Sequence, residues 1–181
     1  MNNADILKRL DSKDPKIIKK TLDDIKSNGD VSIISSLLNY LENSKDENVK
    51  ESIIILLSDI KRTEIRENII EKIKSTDDTN LKISLLRVCW ESPVDFSNYY
   101  LFFSELLANE NFMIAFEAHT NLDEILVDLN SNQREELKNS LLSYNLSKTQ
   151  NNLISHIISQ IDNFIEDIVD EDTVIEDAII Q

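Results

Sequence analysis

The sequence predicts an all-α protein, an α-solenoid of about five antiparallel helix pairs with a period of about 32 residues. The 181 residues include one glycine and two prolines, too few for the many tight turns that a sheet protein needs. A Ser–Lys–Asp phrase ends at Asp14 and again at Asp46, and a Ser–Thr–Asp–Asp variant of it ends at Asp78, so the three aspartates are evenly spaced along the chain. A fixed period of this size is typical of stacked helical repeats, which share one continuous core.

Each aspartate of this period comes just before an apolar run with helical spacing. An aspartate at that position can accept the free N–H groups of a helix start. Pro15 suits the first helical position, and Gly29 suits a helix end just before the next cap, Asp30. The predicted helices of the first half cover about 3–11, 15–28, 31–42, 46–61, 63–75 and 78–89.

Pro93 interrupts this rhythm, and the second half follows it more loosely. Helices are predicted at about 96–108, from Asn111 onward, at 132–144 and at about 149–169, where the spacing stretches to about 40 residues. Thr173 and Glu176 fit a capping box. The sequence therefore predicts a single repeat domain over 1–169, followed by an acidic C-terminal tail or a short capping helix over 170–181.

Two stretches carry a resemblance to a known family. They are Leu38-Asn39-Tyr40-Leu41 with Asp46, Val49, Lys50, Ile53 and Ile54, and Ile70-Glu71-Lys72-Ile73 with Asp78, Leu81, Lys82, Leu85 and Leu86. Both resemble HEAT repeats and the related armadillo repeats. The resemblance implies a right-handed solenoid in which a turn acid and a following basic residue form a structural ladder. That ladder would be formed by Asp14, Asp46, Asp78, Lys50 and Lys82.

The formal net charge of -15 is concentrated in the second half of the chain. Residues 88–181 hold 3 basic and 18 acidic side chains, whereas residues 1–87 hold 16 of each. An acidic surface repels phosphate backbones and anionic membranes, so neither nucleic acid nor a membrane is an expected partner. A basic protein partner fits this charge, although acidity that serves solubility alone is the alternative.

Cys89 is the only cysteine, which excludes an intrachain disulfide and fits a reducing compartment. The start of the chain has no apolar signal core, and no apolar run is long enough to cross a membrane. We therefore expect a cytoplasmic protein, monomeric or weakly associated.

No catalytic motif is present, so we expect no enzyme activity, no cofactor and no metal site. His119 and His156 are far apart in sequence and are expected to be surface or inter-helix residues, with Glu117 and Asp123 near enough to pair with His119. Cys89 follows an apolar helical stripe and is expected to be a small buried core residue.

The segment 90–116 holds eight of the eleven aromatic residues of the chain. Two interpretations are open. The rings fill the core of a middle repeat, or some of them are exposed and form a partner-binding surface. The candidate binding residues are Trp90, Tyr99, Tyr100 and Phe103. Because no basic residue lies between Arg87 and Arg134, this surface would suit a basic, partly apolar peptide.

The predicted function is therefore a non-enzymatic protein–protein interaction module or scaffold. One alternative is a HEAT-like enzyme or enzyme-associated factor that resembles a bilin lyase and would need a ligand cavity with a polar cluster. Resemblance to a HEAT-like DNA glycosylase is disfavoured by the acidity of the chain. The other alternative is a structural subunit whose acidic half packs on a basic neighbour.

Overall fold

The computed structural model describes residues 3–28, 32–108, 111–144 and 150–164. Within these ranges the regular secondary structure is helical and contains no strand, so the all-α prediction is confirmed. The chain forms two compact units, Met1–Phe96 and Ser97–Gln181. The single repeat domain over 1–169 stays a prediction. Gly29, Asp30, the predicted capping box at Thr173 and the tail 170–181 lie outside the described residues.

The first unit is a series of six helices joined by short links. They are α1 (Asn3–Leu10), α2 (Pro15–Asn28), α3 (Ser32–Asn43), α4 (Glu47–Asp59), α5 (Ile65–Ser75) and α6 (Thr79–Glu91). Consecutive helices pack as the pairs α1–α2, α3–α4 and α5–α6. These bounds lie within a few residues of the predicted ones, because the local start and stop signals act at the positions where the sequence shows them.

The recurring aspartates cap helix starts, as predicted. Asp46 Oδ1 accepts the backbone N–H groups two and three residues ahead, at 3.0 and 3.2 Å. Asp78 makes the same pair of contacts at the start of α6, at 2.9 and 3.1 Å. Asp14 Oδ1 accepts the N–H two residues ahead at 2.9 Å. Each carboxylate thereby pairs donors that a helix start leaves without an intrahelical partner.

Removing a cap is expected to destabilise the first unit. Asp46→Ala and Asp78→Ala should each lower the free energy of unfolding by about 1 kcal/mol, while the Asn variants should change it by only a few tenths, because Asn also caps. Urea unfolding followed by circular dichroism measures the change. Asp77→Ala is the matched control, since this exposed neighbour loses the same charge and is not the capping residue. An Asp77→Ala loss equal to that of Asp78→Ala would show that charge, not capping, matters.

Alternate helices of the first unit run parallel to one another. Ser35 Oγ donates to Asn68 Oδ1 at 2.7 Å, and Lys72 Nζ donates to Asn39 Oδ1 at 3.3 Å. Both contacts join residues of α3 and α5 that are 33 positions apart, and only parallel neighbours keep a constant offset. The pairs α1–α3, α2–α4 and α4–α6 are also in contact. Each helix therefore packs on its sequence partner and on the helix two places along.

The apolar stripes of these helices form the core of the first unit. Fully buried members include Leu37, Leu41, Ile53, Leu57, Ile65, Ile69, Ile73, Leu85 and Leu86. Full burial of one such side chain contributes about 1.5–3 kcal/mol. The buried hydroxyl of Thr21 avoids a desolvation cost because it donates to the carbonyl of Ile17 at 2.7 Å.

Ion pairs link parallel neighbours, but they involve other residues than the predicted ladder. Lys26–Asp59 joins α2 to α4 at 2.6 Å, Lys72–Glu42 joins α5 to α3 at 2.7 Å, and Arg87–Glu51 joins α6 to α4 at 2.7 Å. The hydrogen bond from Lys72, followed by that from Thr76, lowers the pKa of Glu42 below its ordinary value. These exposed or half-exposed pairs contribute little individually.

The predicted ladder residues divide into capping acids and separate lysines. Lys50 Nζ contacts Glu47 Oε1 at 3.0 Å on its own helix. Lys50 and Asp78 line one cleft of about 190 Å³. In the part of the chain that the structure describes, no ion pair joins Lys50 or Lys82 to a turn aspartate. A ladder role for these residues therefore stays a prediction, whereas the capping role of the aspartates is observed.

The described part of the second unit begins with a short 3-10 helix and continues with four α-helices and a second 3-10 helix. They are the 3-10 helix Ser97–Tyr99, α7 (Tyr100–Leu107), α8 (Phe112–Ile125), the 3-10 helix Leu126–Asp128, α9 (Ser131–Leu142) and α10, which covers the described residues 150–164. The helix predicted from 96 therefore starts later, after the 3-10 turn. Asn111 caps α8, and Asn130 with Gln133 forms a capping box at α9.

Helix α7 lies at the centre of the second unit and packs against α8 and α9. Tyr100 Oη donates to Glu136 Oε2 at 2.5 Å, and the hydroxyls of Ser104 and Ser140 are 3.0 Å apart. Both contacts join residues 36 positions apart, so α7 and α9 are parallel. The second unit thus repeats the arrangement of the first, with a slightly longer offset.

Candidate functional site

The structure places the four predicted binding residues in different environments. Tyr100 is 8% exposed and Phe103 is fully buried, so neither ring presents much surface to a partner. Trp90, near the end of α6, and Tyr99, in the 3-10 turn, are half-buried. Tyr100 and Phe103 therefore follow the core interpretation of the aromatic segment. Partner binding by Trp90 and Tyr99 stays a prediction.

The exposed rings of this segment lie on the first turns of α8. Phe112, Met113 and Phe116 are 49%, 46% and 44% exposed. The ring centroids of Phe112 and Phe116 are 6.1 Å apart, because residues four positions apart lie on one side of a helix. We call these three residues the α8 patch. Single exposed apolar residues are ordinary, but adjacent large ones are typical of an interaction surface.

The opposite face of α8 explains why these rings point outward. Ile114, Ala115, Ala118 and Leu122 are buried, and α8 packs closely on α7 through this side. The two alanines leave no bulk between the helices, so the helix turns its large rings to the other side. Asn111 caps the start through N–H groups of residues 113 and 114. The α8 patch is therefore held on a capped helix turn rather than on a loop.

The stripe of α8 that begins with Phe112 and Phe116 continues with His119 and Asp123, at helical spacing. His119 Nε2 and His156 Nδ1 of α10 are 3.0 Å apart, and the ring centroids are 5.0 Å apart. One turn later, Gln160 Nε2 donates to Asp123 Oδ1 at 2.6 Å. Both contacts span 37 positions, so α8 and α10 are parallel neighbours.

The histidine contact requires one imidazole to donate and the other to accept. Partial burial, followed by the neighbouring His156, lowers the pKa of His119, whereas Asp123 acts in the opposite direction. Asp123 Oδ1 lies 3.9 Å from His156 Nδ1, so this carboxylate is close to His156 as well as acting electrostatically on its predicted partner, His119. We refer to His119 and His156 as the histidine pair. Sequence reasoning treated these residues as separate because they belong to different helix pairs.

A shallow cavity of about 300 Å³ lies next to the histidine pair. Its lining includes Asp123, Val127, Gln160 and Phe164. The guanidinium of Arg134 lies over the Phe164 ring, 4.0 Å from its centroid, and also donates to the carbonyls of residues 126 and 127 at 3.2 Å. Arg134, on α9, thus links the 3-10 helix Leu126–Asp128 to α10. The lining of the cavity combines apolar Val127 and Phe164 with polar Asp123 and Gln160.

The charge around α8 is negative. Helices α7 and α8 contain no Lys or Arg, and they carry Glu105, Glu117, Asp123 and Glu124. The two basic residues within the described residues of the second unit are both engaged internally. They are Arg134, as described above, and Lys138, which pairs with Asp162 of α10. Few Lys or Arg side chains of the described residues therefore compete with a cationic partner for the acidic side chains of α7 and α8.

Cys89 is a core residue, as predicted. It is buried in α6, and its Sγ donates to the carbonyl of Leu85 at 3.3 Å. Burial raises the pKa of the thiol far above its ordinary value. A thiol that stays protonated is a poor nucleophile, so Cys89 does not belong to the candidate site.

The described ranges contain no group of three or more His, Cys, Asp and Glu side chains placed to hold a metal ion. They also contain no helix with the length and apolar character needed to traverse a lipid bilayer. Comparisons of the chain with models of protein families, with curated proteins and with solved structures found no match.

Proposed function

We propose that the chain is a non-enzymatic protein-interaction module or small scaffold, and that the α8 patch binds a basic, partly apolar segment of a partner protein. The observation that carries this proposal is the α8 patch itself, because it presents three large apolar side chains to solvent on a helix turn that is well anchored from behind. Exposed aromatic and Met side chains are frequent anchors of protein interfaces.

The architecture we propose is a right-handed α-solenoid of about five HEAT-like helix pairs. Within each unit, alternate helices run parallel with offsets of 29 to 37 residues, which supports stacked repeats. Stacked helix pairs present extended faces, and proteins of this build use them to bind other chains. The α8 patch lies on such a helix, which is why we assign binding to it rather than to a catalytic cleft.

The charge of the second unit selects the class of partner. No basic side chain lies on α7 or α8, and the carboxylates of Glu105 and Glu124 are exposed there. An acidic surface steers a cationic partner toward it and disfavours an acidic one. The partner segment should therefore combine Lys or Arg with one or two Leu, Ile or Phe residues. The apolar residues would contact the α8 patch, and the cations would contact the exposed carboxylates of α7 and α8.

Fluorescence anisotropy with labelled peptides tests this proposal. The probes are short peptides in which Lys or Arg alternates with Leu and Phe, together with isosteric peptides that carry Glu or Gln in place of the cations. We expect the basic apolar peptides to bind the full chain and the Glu and Gln peptides not to bind. Replacing Phe112, Met113 and Phe116 together by Ser should weaken binding by at least about tenfold, which corresponds to about 1.4 kcal/mol.

The matched control removes exposed apolar surface elsewhere. Ile55 and Leu142 are 54% and 61% exposed on other helices, and their double replacement by Ser should leave peptide affinity unchanged. The proposal is wrong if the Phe112/Met113/Phe116 variant binds as tightly as the wild type while it keeps its helical circular dichroism. It is also wrong if the control variant loses as much affinity, because binding would then lack a defined surface.

A further inference from the structure

The histidine pair has a geometry that suits a metal ion. Its two facing nitrogens, Nε2 of His119 and Nδ1 of His156, are 3.0 Å apart. Metal–imidazole bonds are about 2.0–2.1 Å long, so two nitrogens on adjacent corners of a square or tetragonal site lie about 2.8–3.0 Å apart, and two on a tetrahedral site about 3.3–3.4 Å apart. The observed separation of the two nitrogens matches the square or tetragonal arrangement, and it needs to increase only slightly for the tetrahedral one.

The scaffold around the histidine pair holds this separation in place. The rings project from parallel neighbouring helices, and the next contact along both helices, Gln160 to Asp123 at 2.6 Å, keeps α8 and α10 in the same register. To point at one ion instead of along the line between the two nitrogens, each lone pair must turn by about 35–45°. Rotation about the Cβ–Cγ bond, which has a broad energy minimum, supplies part of this change. The ion then takes the place of the single proton that joins the rings.

We propose that His119 and His156 form a two-imidazole binding site for a divalent transition-metal ion: copper, nickel or zinc. Water fills the remaining coordination positions, which agrees with the absence of a third ligand among the described residues. Asp123, 3.9 Å from Nδ1 of His156 and oriented by Gln160, supplies a negative charge beside the ion without coordinating it.

The ligand type determines which ions should bind. Imidazole nitrogen favours Cu²⁺, Ni²⁺ and Zn²⁺, with Cu²⁺ the tightest, whereas Mg²⁺ and Ca²⁺ prefer oxygen ligands. The abundant carboxylates of the chain are oxygen ligands and would bind Mg²⁺ and Ca²⁺ as well, weakly. Selectivity for Cu²⁺, Ni²⁺ and Zn²⁺ over Mg²⁺ and Ca²⁺ therefore distinguishes binding at the histidine pair from general attraction of cations by acidic side chains.

The test uses the full, tag-free chain and the chloride salts of copper, nickel, zinc and magnesium. Isothermal titration calorimetry should show one site for Cu²⁺, Ni²⁺ and Zn²⁺ and no equivalent site for Mg²⁺, and the first three should raise the melting temperature reversibly on addition of a chelator. His119→Gln and His156→Gln should each weaken this site at least tenfold, and the double variant should abolish it. Glu135→Gln, which removes an exposed carboxylate of α9, should bind as the wild type.

A second measurement remains informative if a histidine variant unfolds. The chain contains two histidines, so its imidazole proton NMR signals form a small, separate set in the wild type. Substoichiometric Ni²⁺ should broaden both histidines equally and before other resonances. The proposal is overturned if Ni²⁺ broadens neither or only one of them, if the double variant retains the calorimetric site, or if the wild type shows no site for the three transition metals.

Discussion

Replacing Phe103 by alanine is expected to lower the stability of the second unit by about 3–5 kcal/mol. The ring is fully buried in α7, and its centroid lies 5.7 Å from that of Phe102. Alanine would remove the apolar contacts of the ring and leave a cavity that close helix packing refills only in part. Amide hydrogen exchange of α7 and α8 measures this loss locally, as a fall in the free energy of opening.

Phe102→Ala is the matched control for this change, because it truncates the same side chain one position along α7. Phe102 is half-buried, so its replacement should cost less than half as much. This comparison also separates the two interpretations of the aromatic segment. A ring that served only to bind a partner would be exposed in the free protein and would change stability by less than about 0.5 kcal/mol. A loss of that size for Phe103→Ala would contradict its assignment to the core.

The helix starts could be predicted from the sequence because they depend on local chemistry. Asp46, Asp78 and Asn111 each accept N–H groups two and three residues ahead, and this rule involves no distant part of the chain. The all-α class follows in the same way from helical spacing and the scarcity of glycine and proline. Helix class and helix starts, which depend on residues within a turn or two of each other, could thus be predicted from the sequence alone.

The sequence does not predict which aromatic side chains are buried and which are exposed, because this depends on which side of each helix is covered by neighbouring helices. Helix α7 is apolar around most of its circumference, so its sequence does not distinguish buried Tyr100 and Phe103 from exposed positions. On α8 the small residues Ala115 and Ala118 mark the packed face, and Phe112 and Phe116 are exposed. These two alanines were a signal for the packed face, although the larger Ile114 and Leu122 are buried there as well.

The histidine contact escaped prediction for a reason of register. The expected spacing in this part of the chain was about 40 residues, which would place His119 opposite residue 159. The observed offset between α8 and α10 is 37, and it brings His119 to His156 and Asp123 to Gln160. An error of three residues shifts the expected partner by about 4.5 Å along the helix axis, which is enough to pair His119 with Ser159 instead of His156. Accurate offsets between parallel helices are therefore required before side chains from different repeats can be paired.

The second large effect is expected at the tyrosine that joins α7 to α9. Tyr100 Oη donates to Glu136 Oε2 at 2.5 Å, and a hydrogen bond to a charged acceptor is stronger than a neutral one. Tyr100→Phe should lower the free energy of unfolding by about 1–2 kcal/mol at neutral pH, at the modest end because Glu136 is exposed. Urea unfolding followed by circular dichroism measures the difference between wild type and variant.

This contribution should depend on pH in the alkaline range. The hydrogen bond to Glu136, followed by burial, raises the pKa of Tyr100 from 10.0 to about 12. The folded protein therefore holds the phenolic proton more tightly than the unfolded chain does. The stabilisation is complete below pH 10 and is lost progressively as the pH rises from about 10 to about 12, where the phenolate would face the carboxylate. The stability difference between wild type and Tyr100→Phe should shrink across that window.

Glu136→Gln separates the charge from the hydrogen bond, because glutamine keeps an acceptor oxygen and loses the negative charge. Glu136→Gln should lower the pKa of Tyr100, measured by phenolate absorbance, toward the ordinary tyrosine value. In a Tyr100→Phe background it should have little effect on stability. The double-mutant cycle isolates the energy of this one contact. Equal effects of Glu136→Gln in both backgrounds would mean that Tyr100 and Glu136 do not interact, and a stability difference unchanged between pH 10 and 12 would contradict the raised pKa.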